Sequence, residues 1–335
     1  MARVGLIGYG YWGPNLARVF STLPKCSLRY ISEKREERQK AVRGAYPNVK
    51  LATEEEVLTS PDVDIILVAT PVFTHYELAK KALENGKHVW LEKPMASNSA
   101  QCRELNQLAA QNKRILMVDH TFLFTAPVRK IKDLITNGDL GDLYYFDSVR
   151  VNLGLFQHDV NVIWDLATHD FAIMDFLLRA KPRGICAQGT DHFGTGMEDV
   201  AYVTILFDNK LIAHFHLNWL SPTKIRHTMV GGSKKMLVWD DRDIENKIRI
   251  YDKGADITTR EGKYGIQAQY RMGDVVSPWL ESTEALKLEA QYFLKCIDTG
   301  ETPFNDGEQG LRVVSLLEAT DASLKADGKL IELNR

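Results

Sequence analysis

The chain has few cysteines for its 335 residues: Cys26, Cys102, Cys186 and Cys296, so scattered that no C-x-x-C and no local Cys/His pairing occurs. That scarcity argues against a zinc site and fits a reducing compartment. Long apolar runs are also missing, since the unbroken stretch at residues 65–69 is far too short to span a bilayer. Charge of one sign is not in excess. The 42 basic and 44 acidic side chains leave a formal charge of −2, which provides no electrostatic reason for a nucleic acid or an anionic membrane as partner. The first residues read as no signal peptide, because Gly5, Gly8 and Gly10 break their apolar stretch and no cleavage site follows. There is no internal repeat and no low-complexity segment. Together these absences predict a soluble, cytoplasmic protein without a metal centre. Apolar content of 44% and charged content of 26% are ordinary for such a protein. The length exceeds what one core usually serves, so two domains are expected.

What is present begins at residue 4. A short apolar run, Val4 to Ile7, ends in Gly8-x-Gly10-x-x-Gly13, and residues 15–20 read as helix. In a strand–turn–helix that binds a dinucleotide, the first glycine permits the tight turn. The second lets the backbone approach the pyrophosphate, and the third lets helix and strand pack closely. The helix start then offers unpaired N–H groups and a positive dipole end to phosphates. Tyr11 and Trp12 lie inside this loop. The fingerprint also calls for an acid about 20 residues on, to accept from the adenosine ribose hydroxyls. Glu33 closes a plausible strand at residues 27–31 and meets that demand. A carboxylate there repels a 2′-phosphate, which favours NAD over NADP. Lys34 and Arg35, next in line, read as the surface charges of a starting helix, although they could offset that preference.

Up to about residue 119 short apolar runs alternate with amphipathic helices, the pattern of a doubly wound parallel sheet. Helices are expected at 33–45, 53–59 (capped by Thr53), 74–85 (closed by Gly86) and 99–111. Strands are expected at 64–69, 87–91 and 115–118. Their carboxyl ends carry Thr70-Pro71, Glu92-Lys93-Pro94 and Asp119-His120, at the edge where such sheets bind ligands. Beyond a helix at 125–137 the chain turns β-rich, with strands expected at 143–153, 201–207, 211–219, 224–230 and 235–239. Helices are expected at 164–178, 283–299 and 309–325. Runs of strands with segregated helices predict an α+β domain built on an antiparallel or mixed sheet. The reading is therefore an α/β Rossmann domain over residues 1–120 and a second, α+β domain over 121–335. Residues 252–278, rich in glycine and charge, read as a mobile loop.

Two groups could do chemistry. A lysine at 93 would project toward the nicotinamide end of a bound cofactor and steady an alkoxide as hydride leaves; a plain Glu–Lys surface pair is the competing reading. On the helix at 164–178, Asp165 and His169 stand i, i+4 and would share a face. An imidazole with a carboxylate one turn away is an oriented general acid/base; a helix-surface pair of no consequence is the competing reading. His75 would begin a helix beside the cofactor, and His120 could line the pocket. His88, His214 and His216 fall in strand patterns and read as structural.

These motifs occur in order: Gly8-x-Gly10-x-x-Gly13, Ala69-Thr-Pro71 with His75, Gly86-Lys-His-Val with Glu92-Lys-Pro94, and Asp165-x-x-x-His169-Asp170. Together they resemble the glucose–fructose oxidoreductase/inositol dehydrogenase family (Gfo/Idh/MocA), over nearly the whole chain. The resemblance implies a C-terminal domain with a large open sheet that commonly forms subunit contacts, hence a homodimer or homotetramer. It implies hydride transfer between a sugar-like carbinol and nicotinamide, with Lys93 and His169 catalytic and Asp165 orienting the substrate. Residues 10–15, 119–124, 150–154 and 218–226 look like nucleotide-sugar members of the UDP-N-acetylglucosamine 3-dehydrogenase type. Arg150, Asn152, Lys224 and Arg226 could then hold a diphosphate, or be outward strand residues. A 3-ketosugar reductase using NADPH and a non-catalytic cofactor-sensing protein of the same fold are the alternatives. The whole reading requires Lys93 and His169 to serve one pocket.

Overall fold

A computed structural model describes residues 1–154, 156, 160–178, 180–259 and 266–333. The chain forms two compact units, residues 1–125 with 283–318 and residues 126–282 with 319–335. The first unit thus takes back a late segment that a boundary at residue 120 assigns wholly to the second domain.

In the first unit the elements alternate as β1 (Ala2–Ile7), α1 (Gly13–Thr22), β2 (Cys26–Ser32), α2 (Glu36–Ala45), β3 (Lys50–Leu51) and α3 (Glu54–Thr59). They continue as β4 (Ile65–Val68), α4 (His75–Glu84), β5 (His88–Leu91), α5 (Ser99–Gln111) and β6 (Leu116–Val118). The sheet runs β3-β2-β1-β4-β5-β6, with every pairing parallel. All four residues of β4 are buried, as a strand covered on both faces must be. The helix starts follow local chemistry. Thr53 and Glu56 form a reciprocal capping box at α3, and Asn98 accepts from the Gln101 N–H at α5. Gly86 takes φ +68° just beyond α4, where a side chain would be strained.

The second unit begins with α6 (Ala126–Thr136) and β7 (Leu143–Leu153). A π-helical turn at Ile163–Ala167 runs into α7 (Thr168–Leu178). Then come β8 (Pro182–Thr190), β9 (Val200–Phe207), β10 (Ile212–Asn218), β11 (Leu220–Gly232), β12 (Met236–Asp240), β13 (Ile248–Thr259) and β14 (Ile266–Val276). Late in the chain, α8 (Ala285–Thr299) returns to the first unit. The long α9 (Gly307–Lys325) and the short β15 (Ile331–Glu332) complete the chain. The nine strands form one sheet in the order β14-β13-β12-β11-β7-β10-β9-β8-β15, antiparallel except for the β7–β10 pair. Phe171 of α7 packs edge-on against Phe215 of β10, at 5.0 Å between ring centroids, and Phe215 meets Phe146 of β7 at 5.8 Å. One sheet face is therefore closed by α7. Residues 252–278, expected as a mobile loop, carry most of the β13–β14 hairpin; the tip at 260–265 lies outside the described residues. Their charge and glycine hid an alternation that becomes legible once β12 supplies a partner edge.

In the first unit α8 completes the core. Phe293 meets Trp90 of β5 at 5.6 Å, and Trp90 meets Phe20 of α1 at 5.4 Å. Leu286, Ala290 and Phe293 belong to the same buried cluster as Leu6, Leu16 and Ile65. Among the described residues no helix is long and apolar enough to cross a membrane.

Candidate active site

The carboxyl ends of the six parallel strands collect the polar groups. Between β1 and β4 the strand order reverses, and sheets of this kind bind ligands in the crevice at that point. Gly8 follows β1 with φ +95°, and an added Cβ would strike the Ala69 carbonyl. At Gly13 an added Cβ would strike the Gly8 carbonyl, so loop and helix start are as close as backbone can be. Among the described residues beyond its chain neighbours, Gly10 has one near atom, Arg35 Nη2, 3.4 Å from an added Cβ, so this stretch of backbone lies open to a ligand. Tyr11 is almost fully exposed. Trp12 is half-buried, and its indole N–H donates to Asp119 Oδ2 at 2.9 Å.

Glu33, beyond β2, accepts from the Tyr9 N–H at 3.0 Å and the Arg35 N–H at 2.9 Å, and Arg35 Nε donates to it at 3.1 Å. Burial alone would raise its proton affinity. The hydrogen bonds from Arg35 and Tyr9 and the Arg35 charge outweigh burial and hold its pKa at about 2. Arg35, read from sequence as a helix-surface charge, is instead the partner of this carboxylate.

His75 opens α4, is buried, and bridges two strand-end segments. Its Nδ1 lies 2.8 Å from the Pro94 carbonyl oxygen and its Nε2 2.8 Å from that of Thr70. The ring thereby spaces Thr70-Pro71 from Glu92-Lys93-Pro94. Glu92 and Asp119 follow the paired ends of β5 and β6, and burial together with the Asp119 charge pushes Glu92 well above the usual carboxylate range. His120 is 2% exposed with its ring nitrogens closed off, and burial holds its pKa down to about 4. Its backbone N–H donates to Glu289 Oε1 at 3.1 Å.

In the second unit Asp165 lies in the π turn, and its Oδ2 accepts from the Trp219 indole at 3.2 Å. The simple i, i+4 face expected for Asp165 and His169 is thus modified, since a π turn closes i→i+5 bonds and rotates the residues that follow. The turn is held by Asn161, whose Oδ1 accepts from the N–H groups of Ile163 and Trp164. Arg150 is buried and makes a two-pronged bond to Asp170, Nε–Oδ2 2.9 Å and Nη2–Oδ1 2.8 Å. Arg226 stands opposite Arg150 on the neighbouring strand and reaches Asp241 at 3.4 Å. Lys224, exposed two residues earlier, has its proton affinity lowered first by Arg226 and then by partial burial and Arg242. Asn152 is half-buried near the end of β7. Asp170, quoted in a motif without a role, and Asp241 went unrecognised as counter-ions in the sequence because neither spacing nor neighbours link them to these arginines. Glu289 likewise comes from α8, 170 residues after Asp119, with no local signal. Among the described residues no group of three His, Cys, Asp or Glu could hold a metal ion.

A 3-2-1-4-5-6 parallel sheet, a glycine loop at its reversal point and an acid at the end of β2 define a dinucleotide-binding domain. Residues 2–120 match the model of the oxidoreductase family with an NAD-binding Rossmann fold, and residues 128–238 match the GFO/IDH/MocA C-terminal domain. The chain belongs to that family and is an NAD-binding oxidoreductase. It is 38% identical over 216 residues to the uncharacterized oxidoreductase YdgJ of Escherichia coli K12; the match spans 57% of this chain and 60% of YdgJ, under two-thirds of that relative. It is 24% identical over 326 residues to the UDP-N-acetylglucosamine 3-dehydrogenase of Acidithiobacillus ferrooxidans, covering 93% of this chain and 94% of that protein. The solved structure of that enzyme, GnnA, superposes with a TM-score of 0.81 at 22% identity over 97% of both chains. GenD2 from gentamicin A biosynthesis, solved in complex with NAD, superposes with a TM-score of 0.84 at 20% identity, covering all of this chain and 97% of GenD2.

The residues present fit NAD. The open backbone at Gly10 and the start of α1 suit a pyrophosphate, and the low-pKa Glu33 carboxylate suits ribose hydroxyls.

Proposed function

We propose that this chain is an NAD-dependent dehydrogenase that oxidises a ring hydroxyl of a sugar, C3 of a nucleotide-linked N-acetylhexosamine. The observation that carries the nucleotide-linked part is the crowding of cations in the second unit. Lys224 lies among Arg226, Arg242 and Arg150, with Asp241 as the opposing charge. A diphosphate bound there would relieve that repulsion and accept charge-assisted hydrogen bonds from Lys224 and Arg226. Arg150, already engaged by Asp170, would act by holding the strand that presents them. The sugar part rests on what relatives are named for, including the UDP-N-acetylglucosamine 3-dehydrogenase.

NAD, when bound, supplies the hydride acceptor. Gly8, Gly10, Gly13, Tyr11, Trp12, Thr70, Pro71 and His75 would shape its seat, with Glu33 at the ribose and Glu92 and Lys93 toward the reacting end. Neutral His169 would take the hydroxyl proton, Asp165 would orient the substrate, and the Lys93 ammonium would hydrogen-bond the oxygen as negative charge grows on it. A cytoplasmic location and a homodimer or homotetramer belong to the same proposal.

A panel of nucleotide sugars and free sugars with NAD, followed by reduced-nicotinamide absorbance and product mass, tests it. One nucleotide-linked N-acetylhexosamine is expected to turn over and yield a product two hydrogens lighter. Lys93→Met and His169→Ala are each expected to lower turnover by about 10²-fold or more while still binding NAD. Near-normal turnover in both refutes the assigned roles.

One observation favours a second reading, an NADPH-dependent 3-ketosugar reductase: Arg35 sits on Glu33 and reaches toward the Gly10 loop. Dissociation constants decide. Tighter NAD(H) is expected; tighter NADP(H) would mean that Arg35 swings from Glu33 to a 2′-phosphate.

A further inference from the structure

At the carboxyl ends of β5 and β6, three acids from separate parts of the first unit meet around Asp119, which is 2% exposed. Four donors already point at it. Trp12 Nε1 and Trp90 Nε1 donate to Oδ2 at 2.9 and 3.3 Å. The Thr121 N–H and hydroxyl donate to Oδ1 at 3.2 and 2.5 Å. A carboxylate is the group that accepts four such bonds without offering a proton of its own. Glu289 of α8 is fully buried; its Oε1 accepts from the His120 N–H at 3.1 Å and the Asn305 amide at 2.9 Å. The second oxygen of Glu289 and the Oε1 of Glu92 are sealed from solvent with no conventional donor facing them. Both acids nevertheless stand beside Asp119, whose N–H donates to the Leu91 carbonyl next to Glu92 at 2.8 Å and whose neighbour His120 donates its N–H to Glu289. Carboxyl groups buried this close together cannot all ionise, and the protons stay on those whose oxygens meet no donor.

We infer that Glu92 and Glu289 are neutral acids packed beside an ionised Asp119, and that this trio is a positioning device which pins the glycine-rich loop through Trp12. It carries one negative charge and two protons. Of the other ionisable groups around it, Lys93 lies beyond Glu92 and the neutral His120 beyond Asp119. Burial places Glu92 and Glu289 well above the usual carboxylate range, in keeping with this proton count. Asp119 touches no substrate in this scheme. It acts through the indole of Trp12, the residue that caps α1 and stands inside Gly10-x-x-Gly13. The inference depends on NAD binding by the first unit and is independent of which sugar is oxidised, so failure of the sugar assignment leaves it standing.

Infrared difference spectra and NAD titration test it on the intact protein. At neutral pH the wild type is expected to show protonated-carboxyl C=O stretches, one lost in Glu92→Gln and another in Glu289→Gln. Glu289→Gln, as uncharged as the acid and able to accept the same two bonds, is expected to fold and to keep the wild-type affinity for NAD. Trp12→Phe is expected to weaken NAD by about tenfold, the loss of one hydrogen bond to a charged group. Asp119→Asn is expected to weaken it at least as much, with no further loss in the double variant. Absence of protonated-carboxyl stretches at neutral pH overturns the proton count. Fully additive losses in the double variant overturn the positioning role. If Asp119→Asn does not fold, an unchanged NAD affinity in Trp12→Phe overturns that role by itself.

Discussion

Gly8 and Gly10 stand two residues apart in one loop, and a methyl group would meet very different surroundings at each. At Gly8 the backbone is in the left-handed region and a Cβ collides with the Ala69 carbonyl, so loop and strand end would have to separate. At Gly10 the nearest atom is the far end of a long side chain. Gly8→Ala is therefore expected to lower both the thermal midpoint and NAD affinity. Gly10→Ala is expected to leave the midpoint near that of the wild type while weakening NAD, because the methyl group stands where pyrophosphate approaches. Thermal unfolding with and without NAD checks both; equal midpoints for the two variants would contradict the geometry. Glu33 illustrates the same scale. Its place in sequence signalled a ribose-binding acid, and only the folded loop supplied the Tyr9 N–H and the Arg35 fork that keep it ionised.

At the scale of elements, the sheet of the second unit puts Arg150 and Arg226 opposite each other on neighbouring strands. Like charges so placed are unfavourable unless each has its own carboxylate. Asp170, from α7, supplies one and Asp241, beyond β12, the other. The Arg150–Asp170 pair is nearly solvent-free, with side-chain exposures of 7% and 3%. Removing one partner of such a pair costs about 3–5 kcal/mol, whereas replacing both with apolar groups costs far less. Asp170→Asn and Arg150→Met are expected to lower the urea midpoint strongly, and the double replacement Arg150→Met with Asp170→Leu to recover much of the loss. A double replacement as unstable as the sum of the two single changes would show that the two side chains do not stabilise each other. The helix that carries Asp170 was legible from its apolar spacing. Its π-helical opening was not, because that turn depends on Asn161, on the Trp164–Asp321 bond and on the Trp219 indole reaching Asp165.

Across the whole molecule, buried ionisable groups set the response to pH. His88 is held down to about 4 by burial and the Arg114 charge, and its Nδ1 accepts from the Ile115 N–H. His120 is held to about the same value. Both are depressed below the ordinary value of 6.5, so the stability they contribute is complete above pH 6.5 and is lost as the pH falls toward about 4. Glu289 works the other way. Its raised affinity for the proton contributes fully below its ordinary 4.5 and less as the pH rises above it. The urea midpoint is expected to fall between pH 6.5 and pH 4, and His88→Gln is expected to flatten that fall. An acid limb unchanged by His88→Gln would mean that other groups govern it.

Local order was readable before any coordinates. The strand–glycine loop–helix at residues 4–20, the alternation that follows it, the caps at Thr53 and Gly86 and the polar groups at strand ends all depend on spacing along the chain, and spacing is printed in the residues themselves. The folded chain decided everything that depends on residues far apart meeting. Glu289 joining Asp119, α8 filling the first core, the counter-ions of Arg150 and Arg226, and the β13–β14 hairpin are of this kind. A carboxylate 170 residues away leaves no periodic trace near its partner. Its presence there is set by burial and by the His120 N–H and Asn305 amide that it accepts from, which meet it only once the core has closed.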